Sequence, residues 1–94
     1  MTVTPIRARH VPLTEVQILK NRYEEAKLIK DAWDHRLKRA HQEHADAVVH
    51  GGDTNATRRN LNAVEIQVQD AAGELKVALN AWMTTTINAE RRAS

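Results

Sequence analysis

Two histidines three residues apart are the feature of this sequence closest to a metal site. His41 and His44 are separated by Gln42-Glu43, and residues at i and i+3 of a helix share a face. Zinc sites on a single helix more often use histidines at i and i+4, and the His-Glu-x-x-His pattern of zinc metalloproteases is absent. The spacing therefore does not predict a metal or another cofactor. We expect His44 to lie between helices, with a hydrogen bond near Asn60.

The other residues that could do chemistry fit surface ion pairing better than catalysis. Glu24-Glu25 lies among Lys20, Lys27 and Lys30, at the spacings that pair charges along a helix. No motif of a serine triad and no glycine-rich phosphate loop is present. The absence of cysteine excludes thiol nucleophiles, disulfides, iron–sulfur clusters and thiolate zinc sites. The sequence predicts a protein that is not an enzyme.

Length, composition and charge restrict further the kinds of protein that this sequence can encode. The 94 residues suit one small domain, and the aromatic residues amount to 3%, which favours closely packed helices over a thick core. The net charge of +2 does not by itself indicate nucleic-acid binding. No apolar run is long enough for a transmembrane helix or a signal peptide, so we expect a cytoplasmic protein. Nine arginines against five lysines, with fourteen alanines, are typical of a GC-rich genome such as that of an actinobacterium or its phage.

Helix start and stop signals divide the chain into an arm and a hairpin. Residues 1–13 hold both prolines and predict an extended arm, basic and partly apolar. Thr14 and Gln17 form a capping box, and no Gly or Pro follows until Gly51-Gly52. The all-α prediction is therefore an antiparallel, coiled-coil-like hairpin over 14–94, with a helix over 14–50, a turn over 51–53 and a helix over 54–92.

Apolar residues at alternating spacings of three and four predict the seam between the two helices. We place residue i opposite residue 104 minus i, which puts Tyr23 near Trp82, Trp33 against Gly73 and Lys30 against Glu74. Gly73 would then provide a seat for the indole. The predicted hairpin seam comprises Leu19, Tyr23, Trp33, Leu37, Leu61, Val64, Val68, Leu75 and Trp82.

Further apolar residues fall off the seam, in the half of the hairpin away from the turn. They predict a self-association face that builds a four-helix bundle or a larger homo-oligomer: Ile18, Leu28, Val77, Met83 and Ile87. The turn half carries basic residues and histidines, which suit contact with an unidentified protein partner. The partner-binding candidates, including two in the arm, are Arg7, Arg9, Arg36, Arg39, His41, Arg58 and Arg59.

The sequence therefore predicts a protein–protein interaction or assembly module, either a phage structural protein or a phage protein that binds a host factor. The alternative is a small nucleic-acid-associated factor, with Arg7, Arg9, Arg58 and Arg59 as its contacts. The turn reads His50-Gly51-Gly52-Asp53, and no tyrosine follows the second helix. In shape the hairpin resembles the Trp-x-Gly hairpin family of type VII secretion substrates, but the tryptophan and the tyrosine of that family's motifs are missing. A substrate of this kind is therefore the lesser alternative.

Overall fold

The computed structural model describes residues 14–93, which form two long helices joined by a tight turn. Helix α1 spans Glu15–His50 and helix α2 spans Thr54–Ala93. The two helices pack against each other along their length, and no strand occurs in residues 14–93. The predicted all-α hairpin is confirmed. The predicted arm, residues 1–13, lies outside the described residues.

A capping box fixes the start of α1. The Gln17 backbone N–H donates to Thr14 Oγ1, and the Thr14 backbone N–H donates to Gln17 Oε1, both at 3.2 Å. Two backbone donors that the first helical turn leaves without partners are thereby satisfied. The predicted capping box is confirmed.

Two glycines reverse the chain direction between the helices. Gly51 has φ +73°, a left-handed backbone conformation that residues with a Cβ rarely adopt. Gly52 N–H donates to the carbonyl of Ala47 at 2.8 Å, and a Cβ on Gly52 would lie 3.3 Å from the Ala47 Cα. Asp53 then caps the N-terminus of α2, since its Oδ1 accepts the Ala56 N–H at 3.0 Å. The turn is therefore closed on both sides by hydrogen bonds.

The helices meet along one stripe of each. On α1 the residues that are not exposed recur at alternating spacings of three and four: Val16, Leu19, Tyr23, Ala26, Lys30, Trp33, Leu37, Ala40, His44 and Ala47. Only three side chains in residues 14–93 are buried, namely Ala40, Ala47 and Ala71. The larger side chains of the stripe are half-buried, because each helix has a single neighbour and both flanks of the contact stay open to solvent.

Candidate protein-interaction surface

The seam residues predicted from the sequence all lie at the contact between α1 and α2, where each is half-buried. Tyr23 and Trp82 form an aromatic pair near the open end of the hairpin, with ring centroids 5.3 Å apart and ring planes inclined by 33°. This is the tilted geometry that aromatic pairs commonly adopt. The predicted proximity of Tyr23 to Trp82 is confirmed, and the pair defines the relative height of the two helices.

Gly73 does not provide the predicted seat for the Trp33 indole. A Cβ built on Gly73 would meet no atom within 4 Å, so no ring occupies the space that the missing side chain leaves. Instead the guanidinium of Arg36 lies 4.6 Å from the centroid of the Trp33 ring, within cation–π range. A residue three positions along the same helix reaches the ring face more easily than a residue across the seam does.

Lys30 also finds its partner on its own helix, which contradicts the predicted contact with Glu74. Its Nζ lies 3.0 and 2.8 Å from the two carboxylate oxygens of Asp34, one helical turn away. Lys20 and Glu24 form a looser pair at 4.0 Å, with both side chains more than half exposed. Exposed pairs of this kind contribute about 0.2–1 kcal/mol, so they do not determine the packing of the hairpin.

His44 is half-buried at the seam near the turn, as predicted, and its partner is Thr57, one helical turn before Asn60. His44 Nδ1 lies 2.8 Å from Thr57 Oγ1, and this hydroxyl is within 3.2 Å of the carbonyls of Asp53 and Thr54. His44 therefore links the end of α1 to the first turn of α2.

His41, the other half of the histidine pair, is exposed. Within residues 14–93 no three His, Asp or Glu side chains come together in a way that could hold a metal ion. No helix in this part of the chain is long and apolar enough to cross a membrane.

The residues of the predicted self-association face are all exposed, but they do not share one surface. Val77 lines a groove that it shares with Leu19 of α1, whereas Met83 and Ile87 line a separate apolar patch beside Trp82. Leu28 and Ile18 line neither of these two depressions. The prediction missed further exposed aliphatic residues, two of them beside the turn: Ile29, Val48, Val49 and Ile66. The sequence signal for these four residues was the one used for the predicted face: each is aliphatic and falls off the seam.

Three shallow grooves line the same side of the hairpin. Their α1 residues include Arg22 in one groove, Glu15 in the second, and Arg36 and Glu43 in the third, at separations that are multiples of seven. On α2 the same holds for Glu74 and Ala81, Asn88, and Asn60 respectively. Positions seven apart on a helix in coiled-coil packing lie on the same flank, so Ile29 of α1 and Gln67 of α2 belong to this side as well. We call this side the grooved face; it comprises Glu15, Arg22, Ile29, Arg36, Glu43, Asn60, Gln67, Glu74, Ala81 and Asn88.

The predicted partner-binding residues are dispersed over the hairpin. Arg36 and Arg39 line the groove nearest the turn, together with Glu43. His41, Arg58 and Arg59 are exposed and line none of the three grooves. The remaining two candidates, Arg7 and Arg9, lie outside the described residues.

Comparison with known protein families, with curated proteins and with solved structures finds no match for this chain.

Proposed function

We propose that this protein is a non-enzymatic assembly module: a helical hairpin that associates with further copies of itself and binds another protein. The observation that carries the proposal is the exposure of large apolar side chains on a hairpin whose buried residues, within 14–93, are three alanines. Leu28, Val49 and Val77 are each at least 70% exposed. Association with a second protein is favourable when it removes apolar surface of this kind from water.

The architecture supports the same proposal. Two helices bury one stripe each, whereas helical bundles surround each helix with at least two neighbours and bury a wider face. On α2 the half-buried residues extend beyond the predicted seam to Thr57, Glu65, Leu79, Ala81 and Thr86, which widens the surface available for further packing. A second hairpin would complete a four-helix bundle.

Contact with a different protein is the second part of the proposal. The exposed cationic side chains of the turn half, Arg36, Arg39, Arg58 and Arg59, are available for an acidic partner. We place the module in a phage particle or among phage proteins that bind host factors, and the arginine- and alanine-rich composition supports that setting.

Sedimentation equilibrium of the full chain tests the self-association. We expect a mass at least twice that of the 10.6 kDa chain, and a melting temperature that rises with protein concentration because association stabilises the folded state. A folded monomer whose melting temperature does not depend on concentration would rule out self-association.

A further inference from the structure

The largest of the three grooves on the grooved face, which we call the central groove, has an apolar middle. Leu19 of α1 lines it together with Val77, Ala78 and Ala81 of α2. Val77 is 70% exposed, and Ile29, on the same side of α1, is 44% exposed. The alanines are short, so an extended backbone can approach the hairpin closely here. Within the described part of the chain, both large aliphatic side chains face solvent.

The charged residues that line the central groove are one cation, Arg22, and two anions, Asp70 and Glu74. None of the three forms a salt bridge with another residue of 14–93. In the groove at the open end of the hairpin, Glu15 and Arg92 balance each other. These two grooves together therefore carry a small excess of negative charge, which favours a basic segment over an acidic one.

The third groove lies nearest the turn and has the opposite excess. Its charged residues are Arg36, Arg39 and Glu43. A basic segment is therefore better placed in the half of the grooved face away from the turn.

The arm joins the hairpin at the end of this same face. Thr14, the residue that follows the arm, lines the groove at the open end together with Thr85. Thr85 is four residues after Ala81 of the central groove, one helical turn along α2. The two grooves therefore form one path that starts where the arm begins.

The start of α1 also favours a chain that turns back along the hairpin. A capping box is often accompanied by a contact between the residue before the cap and the fourth helical residue, which fixes the entry angle of the chain. Here these residues are Leu13 and Ile18, and Ile18 is 39% exposed. Ile18 is three times seven residues before Arg39, which lines a groove, so it belongs to the same side of α1.

The length of the arm matches the position of the exposed aliphatic pair. Tyr23 and Trp82 are in contact and so lie at one height. From the height of Thr14, Ile29 is fifteen residues towards the turn, and Val77 is fourteen when counted through the aromatic pair. At about 1.5 Å per residue, both lie roughly 21–23 Å from Thr14.

Ile6 is the apolar arm residue that reaches this height. It is eight residues before Thr14, a span of about 25–27 Å for an extended chain at about 3.1–3.4 Å per residue. The few ångströms in excess allow the chain to turn back at Thr14. The neighbouring Arg7 then lies near the height of Glu74, which is seventeen residues from Thr14 by the same count, about 26 Å.

We propose that the arm folds back over the grooved face of its own hairpin as an extended segment that runs from Thr14 towards the turn, with Ile6 between Ile29 and Val77. Its two arginines and the absence of acidic residues suit the charge of the two grooves. The tether at Thr14 gives the arm an effective concentration of the order of millimolar at its own groove, which favours it over the arm of another copy. The inference does not depend on the proposed self-association, for which Leu28, Val49 and Met83 remain exposed.

The distance between two spin labels tests this path. The chain has no cysteine, so Thr4→Cys and Gln67→Cys provide one labelling site in the arm and one on an exposed residue of the grooved face. In a folded-back arm Thr4 lies about 31–34 Å from the height of Thr14, and Gln67 lies about 36 Å from it in the same direction. We therefore expect a narrow distribution of label distances within roughly 10–25 Å, given spacings of about 8–10 Å between packed elements.

An arm that does not dock gives a different distribution. Ten residues of flexible chain extend on average only about 16–19 Å from Thr14. The label on Gln67 is about 36 Å from Thr14, so the distances would spread broadly around roughly 40 Å.

Val77→Lys tests the apolar contact, because it removes the aliphatic side chain and places a cation close to Arg7. Leu28→Lys is the matched control: Leu28 is 71% exposed, against 70% for Val77, and it lines none of the three grooves. Both sites are exposed, so circular dichroism should show that both variants stay helical. We expect Val77→Lys to move most of the labelled population to the broad distribution, and Leu28→Lys to leave the short distance unchanged.

Unfolding and refolding the labelled chain with a large excess of unlabelled chain separates the two possible sources of the arm. A short distance that persists in this mixture and is lost with Val77→Lys supports the inference. A short distance that disappears in the mixture places the arm on a second copy and overturns it. A broad distribution in the unmodified hairpin, or equal results for Val77→Lys and Leu28→Lys, overturns it as well. Self-association is decided separately, by the mass from sedimentation equilibrium.

Discussion

The contact between Tyr23 and Trp82 provides the sharpest test of how the two helices are aligned. Truncating a fully buried large aromatic residue to alanine costs about 3–5 kcal/mol of unfolding free energy. Both rings are half-buried here, so Tyr23→Ala and Trp82→Ala should each cost about half of that, roughly 1.5–2.5 kcal/mol. The part specific to the ring contact is the coupling between the two changes, for which aromatic pairs give about 0.5–1.5 kcal/mol.

The assay is a double-mutant cycle measured by urea unfolding, followed by far-UV circular dichroism with all proteins at the same concentration. Trp33 provides the matched control, since it is also a half-buried tryptophan of the seam. It lies ten residues from Tyr23, a rise of about 15 Å along α1, and so cannot contact that ring. We expect the coupling of Tyr23 with Trp33 to stay within about 0.3–0.5 kcal/mol.

Equal coupling energies in the two cycles would refute this alignment of the helices. So would a coupling between Tyr23 and Trp82 below about 0.3 kcal/mol, since rings with centroids 5.3 Å apart stabilise each other measurably.

Four further predictions concern the helix ends and the glycines, all measured as unfolding free energies by urea denaturation. Gly51→Ala should destabilise the hairpin by about 1 kcal/mol because its φ is +73°. Gly73→Ala should stabilise it by about 0.5–1 kcal/mol, since the added methyl meets no atom within 4 Å in a helix interior, and effects of the same sign at the two glycines would contradict this reasoning. Asp53→Ala should cost about 1 kcal/mol through loss of the α2 cap, whereas the neighbouring Asn55→Ala should change little; equal losses would mean that Asp53 is not the cap. Thr14→Ala should cost about the same as Asp53→Ala, and an unchanged stability would show that the capping box does not hold the start of α1.

The hairpin itself could be predicted because its signals are local. Thr14 and Gln17 mark one helix start, Gly51-Gly52 marks the reversal, and no proline interrupts either helix. The stripe of apolar residues follows from the helical repeat, since positions three and four apart face one neighbour. None of these features depends on which side chain meets which across the seam.

Side-chain partners could not be predicted in the same way. A register that places residue i opposite residue 104 minus i is correct to within a helical turn, as Tyr23 and Trp82 show. Within one helical turn several residues could contact a given side chain, and the contact that forms is often with the nearest residue on the same helix. Lys30 therefore pairs with Asp34 rather than Glu74, and Trp33 is covered by Arg36 rather than seated on Gly73.

The direction of each side chain around its helix explains the remaining differences. Val77 and Met83 looked equivalent as apolar residues off the seam, yet Val77 lines a groove shared by both helices and Met83 lines a patch on α2 alone. Whether two such residues belong to one surface depends on how the flanks of two antiparallel helices are turned towards each other. That relation is a property of the pair of helices, not of either helix sequence.

The two long helices, their ends and the covered stripe of each follow from the amino-acid sequence, because capping, glycine conformation and the helical repeat act over a few residues. That Arg22 shares a groove with Asp70 and Glu74 is evident only from the folded hairpin, because a shared groove exists only once two helices are aligned and turned against each other.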